Sequence, residues 1–406
     1  MKINKVTDLI YILLASAMLA IGRVYDSRLE VFDFNFSYFF SIPFILLSIL
    51  FLSSKIKIYF NDSNKNLIFF YLSVIIITPL LWLVYGTFET DIGTYSGSID
   101  NFINFCFITV LLSLVILKNF KFDDVKKLFL VLFLVGLFLS FTSLLSLSEL
   151  KNGRFEVLGG GPIVFCRWML ISILILFTFP HKRFTILKFL LSLFFFTLAL
   201  ASGSRGPLIA FLITVLVYLL LNFKKIFFYF ILIISFLFIY SNTTDLKKMV
   251  YNFGNSKRVF MNFSQHGIKS KSTLSRVDLT KRGFEMIYHY PLGVGMGNWQ
   301  VYSNKIKPYH LVNAKHFYPH NLFLEIFNEY GFISFILFLF LMIKAFKISF
   351  MKMNEHQQHL SMYPMLFYLL IFLFLNSLLS GSLNDSRIMF TIISLLFIQT
   401  PLIKKC

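Results

Sequence analysis

The run LIFFYLSVIIITPLLWLVY, residues 67–85, decides the fold class. Its nineteen residues carry no charge. As a helix rising 1.5 Å per residue they extend about 28 Å, close to the roughly 30 Å hydrocarbon core of a bilayer. The run has no polar face, so as a helix it needs an apolar surrounding on every side. Comparable segments recur near 6–22, 36–52, 101–117, 128–147, 162–180, 184–201, 208–221, 226–240, 320–343, 361–379 and 388–403. Together they predict an all-α integral membrane protein of about twelve transmembrane helices, one polytopic membrane domain over 1–406. Composition agrees: 57% of the 406 residues are hydrophobic and 14% charged, a balance no soluble domain of this length would hide.

The net charge of +19 does not point to nucleic acid, because basic loops retained on the cytoplasmic side explain it in a membrane protein. Assigning Lys and Arg to alternating sides puts 19 with the termini, 7 in the opposite short loops and 12 in one long loop near 241–319. Long loops cross regardless of charge, so the remaining ratio predicts both termini in the cytoplasm and the long loop on the outer, periplasmic side. Lys2 and Lys5 precede an apolar run from Val6 to Ile21 with no small-residue cleavage site after it, which reads as a retained first span. The three cysteines, Cys106, Cys166 and Cys406, have unrelated spacings and signal neither a disulfide framework nor a zinc site.

Three places concentrate polar residues where the apolar pattern breaks, all on the expected outer side. Ser202-Gly203-Ser204-Arg205-Gly206-Pro207 reads as a tight turn with Pro207 in the first turn of the next helix, and Arg205 at the membrane surface. Ser275-Arg276-Val277-Asp278 has capping-box spacing, which would put Arg276 in a first helical turn, where free amides and the dipole favour a phosphate. Gly293-Val294-Gly295-Met296-Gly297-Asn298 follows; it lacks dinucleotide-fingerprint spacing and reads as a bend back to the bundle. Tyr318-Pro319-His320-Asn321 then opens the tenth span, with Asn321, Glu325 and Asn328 on one helical stripe that should face inward. A histidine in a first helical turn is held neutral by the dipole and suits a general base. Taken singly, each of these side chains is better explained as a headgroup anchor, a solvated loop residue or polar packing.

In order and spacing these residues resemble the O-antigen polymerases and O-antigen ligases, membrane glycosyltransferases with a C-type fold. Ser-Arg-Gly after a span, a long external loop, Arg276 fifteen residues before Pro291-Leu292-Gly293-Val294-Gly295, and His320-Asn321 with nine residues before Gly331 carry the likeness, over roughly 195–345 as the catalytic region. Gly159-Gly160-Gly161-Pro162 adds a weaker point in the first half. Thr280 stands where the family often has tryptophan, and Ser334 where ligases have glycine; both departures favour the polymerase branch. The resemblance implies metal-free transfer of a saccharide from undecaprenyl diphosphate to a sugar hydroxyl, with no cofactor, and a chain-length regulator protein as a candidate partner. No Asp-x-Asp motif occurs.

The resulting expectation is His320 as base, Arg276 and Arg205 on the departing diphosphate, and Arg282 and Arg154 binding the donor. Asn321 orients the acceptor or the histidine. Tyr288, Tyr290, Trp299, Tyr302 and Tyr309 are candidates for stacking on sugars, with loop packing an equal explanation. A lipid-sugar transporter and a noncatalytic assembly partner are the rival readings; the first would carry paired broken helices in two halves, and the second would need no histidine–arginine constellation.

Overall fold

The structure is a computed structural model that describes residues 5–26, 29–31, 34–53, 62–89, 97–145, 161–179, 185–222, 271–306, 318–355 and 362–398. The expected ninth span near 226–240, Arg154 and Tyr309 lie outside these residues. The described helices are α1 (Lys5–Ile21), α2 (Phe36–Ser53), α3 (Asp62–Tyr85), α4 (Ser98–Asn119), α5 (Phe122–Leu145), α6 (Gly161–Thr178), α7 (Thr185–Ala201), α8 (Arg205–Leu221), α9 (Lys271–His289), α10 (Trp299–Ile306), α11 (Leu322–Glu355), α12 (Tyr363–Leu379) and α13 (Arg387–Phe397). Six of them, α2 to α6 and α11, are long and apolar enough to cross a membrane, and α1, α7, α8 and α12 are apolar but shorter. An all-α membrane protein follows, with one addition that the periodicity did not announce. Between α1 and α2 a two-rung antiparallel hairpin pairs β1 (Glu30–Val31) with β2 (Phe34–Asn35). The Asn35 amide anchors it by donating to the Asp26 carbonyl at 2.9 Å.

Contacts within the chain divide it into two compact units, Met1–Val135 with Ser275–Cys406, and Gly136–Leu274. Aromatic packing holds the first together. Phe70 of α3, Phe338 of α11 and Phe390 of α13 form a ring cluster with centroids 5.5–6.4 Å apart. Beside it Tyr71 bonds to Ser113 at 2.8 Å, just past a π-helical turn, Phe105–Val110, inside α4. In the second unit α6 packs on α7 and α8, and Gly136 admits Ser172, whose Oγ would stand 2.0 Å from any Cβ placed there.

One end of the first unit is tied by polar contacts. Arg387 donates to the Leu19, Ala20 and Asn384 carbonyls at 2.8, 3.2 and 3.1 Å. Its guanidinium thus satisfies the open carbonyls at the C-terminus of α1, a position where the dipole also favours a cation. Asn384 donates to Asn101 at the start of α4, and the Leu383 N–H donates to Glu325 of α11 at 2.9 Å. At the opposite end lysines do the tying: Lys118 to the Leu52 carbonyl, and Lys352 to the Leu396 carbonyl at 2.9 Å.

The tenth span departs from expectation. It is two limbs, because Gly331 breaks α11 with φ 74° and ψ −176°. The limbs fold back on each other: Phe323 lies 5.9 Å from Phe335 and 5.5 Å from Phe338, whereas fifteen residues of straight helix would hold such rings about 22 Å apart. The second limb, 332–355, is by itself long enough to cross a bilayer, and the first limb, 322–330, lies against its beginning.

Candidate functional site

The glycine-rich run is what fastens this fold-back. Gly293, Gly295 and Gly297 all have φ between 78° and 90°, backbone that only glycine takes without cost. In that conformation the Val294 and Gly295 N–H groups donate to the Asn328 and Glu329 carbonyls at 3.0 and 2.8 Å, and the Phe332 N–H to the Pro291 carbonyl at 3.1 Å. These bonds take up groups that the break at Gly331 sets free. The Glu329 carboxylate, 2% exposed, turns into the run and accepts N–H bonds from Gly297 and Trp299. On its other side the run meets α3 and α4. Trp82 donates to the Met296 carbonyl at 3.2 Å, and Asn298 bonds to Ser98 and to the Gly86 carbonyl at 2.9 and 2.8 Å. The run is therefore a clamp gathering three helices, more than the bend expected of it, and Glu329 is a central residue that pattern reading passed over.

His320 lies two residues before the start of α11, not in its first turn. Its backbone is left-handed, φ 55°, a conformation that costs a non-glycine residue on the order of 1–3 kcal/mol and gathers at functional sites. Asn321 is the cap: its Oδ1 accepts the Leu324 N–H at 3.2 Å and its Nδ2 donates to the Leu378 carbonyl at 3.1 Å. With both ends of its amide engaged, Asn321 fixes the turn that carries His320. The imidazole packs on Tyr318, centroids 4.3 Å apart, with Nδ1 buried.

Arg276 is also placed differently from the capping-box reading. Helix α9 starts at Lys271, so Arg276 stands in its second turn, where the free amides of the N-terminus are already spent. What positions it is packing. Gly283 brings α9 against the first limb of α11, a Cβ there falling 2.9 Å from Leu324 Cδ1 and 3.4 Å from Asn328 Nδ2. Since Pro291 also meets Phe332, α9 and the first limb run the same way. Two turns back from Gly283 on the same face, about 10 Å, is Arg276, and His320 comes just before the start of the limb that carries Leu324. Both thus stand toward the same end of a parallel pair.

Arg282 is buried, donating to Asp278 at 2.7 Å and to the Ser303 carbonyl at 3.5 Å, which makes it a strut between α9 and α10. Tyr290, Trp299 and Tyr302 pack with Leu279, Met286 and Val294 in one small core, so packing accounts for these three aromatics. Arg205 belongs to the second unit. It opens α8 half-buried, behind Gly203 (φ 65°) and buried Ser204, whose N–H donates to Ser202 Oγ at 3.2 Å. The same unit buries Arg167 inside apolar α6, a second residue that pattern reading missed. The signal was there, since a charge within an apolar span is a functional candidate by default.

Residues 189–339 match the family described as O-antigen ligase. Over this stretch the chain is similar to the O-antigen polymerases and ligases. The family region takes in Arg205, Arg276, Arg282, His320, Asn321, Glu325, Glu329 and Gly331, and leaves out Arg154, Arg167 and Arg387. Its span lies close to the 195–345 on which the resemblance rests. No curated protein matches the chain.

Proposed function

We propose that this chain is a membrane glycosyltransferase that moves a saccharide from undecaprenyl diphosphate to a sugar hydroxyl of a lipid-linked repeat unit: an O-antigen polymerase. The observation that carries the reading is the shared end of α9 and the first limb of α11, where Arg276 and His320 stand. The family match over the same residues supports it.

In this reading His320 takes the acceptor hydroxyl proton on Nε2, Nδ1 being buried. The acceptor oxygen bonds to the anomeric carbon as the bond from that carbon to the diphosphate oxygen breaks. Arg276 meets the charge growing on the departing diphosphate, where positioned donors count most, and Arg205 remains a candidate for the same role. Asn321 serves by holding His320. Arg282 serves the donor indirectly, by holding α9, and Arg154 remains a candidate for donor binding. The chain would sit in a bacterial inner membrane through about twelve spans, with its termini cytoplasmic. The lysine-tied end of the first unit would face the cytoplasm and the His320 end the periplasm, in keeping with the excess of basic residues on the terminus side. A chain-length regulator is the protein partner this role calls for; nucleic acid has no part in it.

Disruption of the gene, read on a polysaccharide gel, tests the assignment. A single repeat on core is the result expected of a lost polymerase. Bare core with chains held on carrier lipid would assign a ligase instead, and an unchanged ladder would remove the reading. Complementation with His320→Ala should fail at normal membrane levels of the protein, because base assistance contributes roughly 100-fold to 10,000-fold in rate.

A further inference from the structure

Helix α9 has a second side that its packing does not use. Leu279, Arg282, Gly283 and Met286 face the protein and are buried, while Val277, Phe284 and Tyr288 point outward, 49%, 62% and 89% exposed. At 100° per residue these three fall within one narrow stripe, and exposed Lys281 falls in it as well. Among the described residues of the region Tyr290, Trp299 and Tyr302 pack in the small core, whereas Phe284 and Tyr288, one turn apart, face out.

We propose that this stripe binds the saccharide of the lipid-linked substrate, leading it away from the reacting end; the proposal rests on the glycosyltransferase reading. Three observations choose a sugar as occupant. The stripe begins at Val277, next to Arg276, at the end of α9 shared with His320, so a ligand with its diphosphate at Arg276 has its sugars aligned with the helix. The rings stand among charges, Lys281 within the stripe and Glu285 at its edge. That mixture matches a pyranose, which offers an apolar C–H face to a ring and a rim of hydroxyls to charged groups, whereas hydrocarbon would reject the lysine. Lastly, α9 runs parallel to the first limb of α11, toward the Gly331 tip and away from the His320 end, giving a chain a direction in which to leave.

The test is complementation of the disrupted strain with Phe284→Ala/Tyr288→Ala and, separately, Tyr288→Phe, with membrane levels followed by immunoblot. The double variant should shorten the modal chain by about two-fold or more, and Tyr288→Phe, which keeps the ring, should shorten it less. For a ligase, the corresponding expectation is a selective loss of long-chain transfer. An unchanged length distribution overturns the proposal, as does equal shortening by Tyr288→Phe. A double variant that is only less abundant in the membrane marks the stripe as lipid-facing, and one that only changes detergent-solubilised oligomer size marks it as a contact between copies; both overturn it. Failure of the underlying reading looks different, since the ladder would then survive His320→Ala.

Discussion

Gly293 and Gly331 meet backbone to backbone: a Cβ on Gly293 would lie 2.7 Å from the Gly331 nitrogen, and one on Gly331 would lie 2.2 Å from the Leu292 carbonyl oxygen. Both residues have left-handed φ, 90° and 74°. This contact holds the first limb of α11 folded back, and so determines where His320 stands.

Gly331→Ala should therefore be severe, adding a backbone clash to left-handed strain at a cost of roughly 3 kcal/mol or more. Gly86→Ala is the companion, since Gly86 has φ 77° but a Cβ there would meet nothing within 4 Å; it should lose only about 1 kcal/mol. Melting temperatures in detergent separate them. Equal, small losses would show that close approach at Gly331 is unimportant.

Replacing Glu329 probes the other half of the clamp. Glutamine keeps the size but turns an amide donor toward the Gly297 and Trp299 N–H groups, and alanine removes both bonds, so each variant should lose about 1–3 kcal/mol. Trp299 emission should shift to the red as the run loosens. A variant with unchanged melting and unchanged fluorescence would contradict the clamp.

For Arg276→Lys, charge stays and the planar fork goes. Turnover of a lipid-diphosphate donor is expected to fall about ten-fold or more, with protein levels unaltered. Unchanged turnover would mean that Arg276 does not hold a diphosphate.

Arg282 and Asp278 should behave as a coupled pair. Each single alanine variant should lower the melting temperature, the arginine more because it is buried, and the double variant should lose less than the sum, with a coupling of about 0.5–3 kcal/mol. If Arg282→Ala melts normally and only raises the KM for donor, the residue is a donor ligand and not a strut.

Much of this was legible in the chain. Apolar runs such as 67–85 can be read because a spanning helix must satisfy its backbone within itself and offer apolar side chains all round, a demand met residue by residue. Capping at the tenth span was half legible: the His320-Asn321 pair was visible, but Asn321 turned out to be the cap and His320 the strained residue before it. The break at Gly331 was not, because the residues on both sides are apolar enough to read as one span, and a glycine in a helix pattern does not say whether the helix bends or folds back. Arg276 illustrates the same limit, since capping spacing at Ser275 is local and cannot report a helix that starts at Lys271.

What the sequence determined alone was the all-α membrane character, the places of most described apolar helices, and a set of residue types whose chemistry suits a diphosphate and a hydroxyl. Tertiary structure alone decided which of them meet. Lipid compatibility is a sum over neighbouring residues, so it is written locally. The position of His320 depends on glycine backbones approaching one another across nearly forty residues of chain, and on a buried carboxylate finding N–H groups thirty residues away; such contacts exist only once the chain has folded.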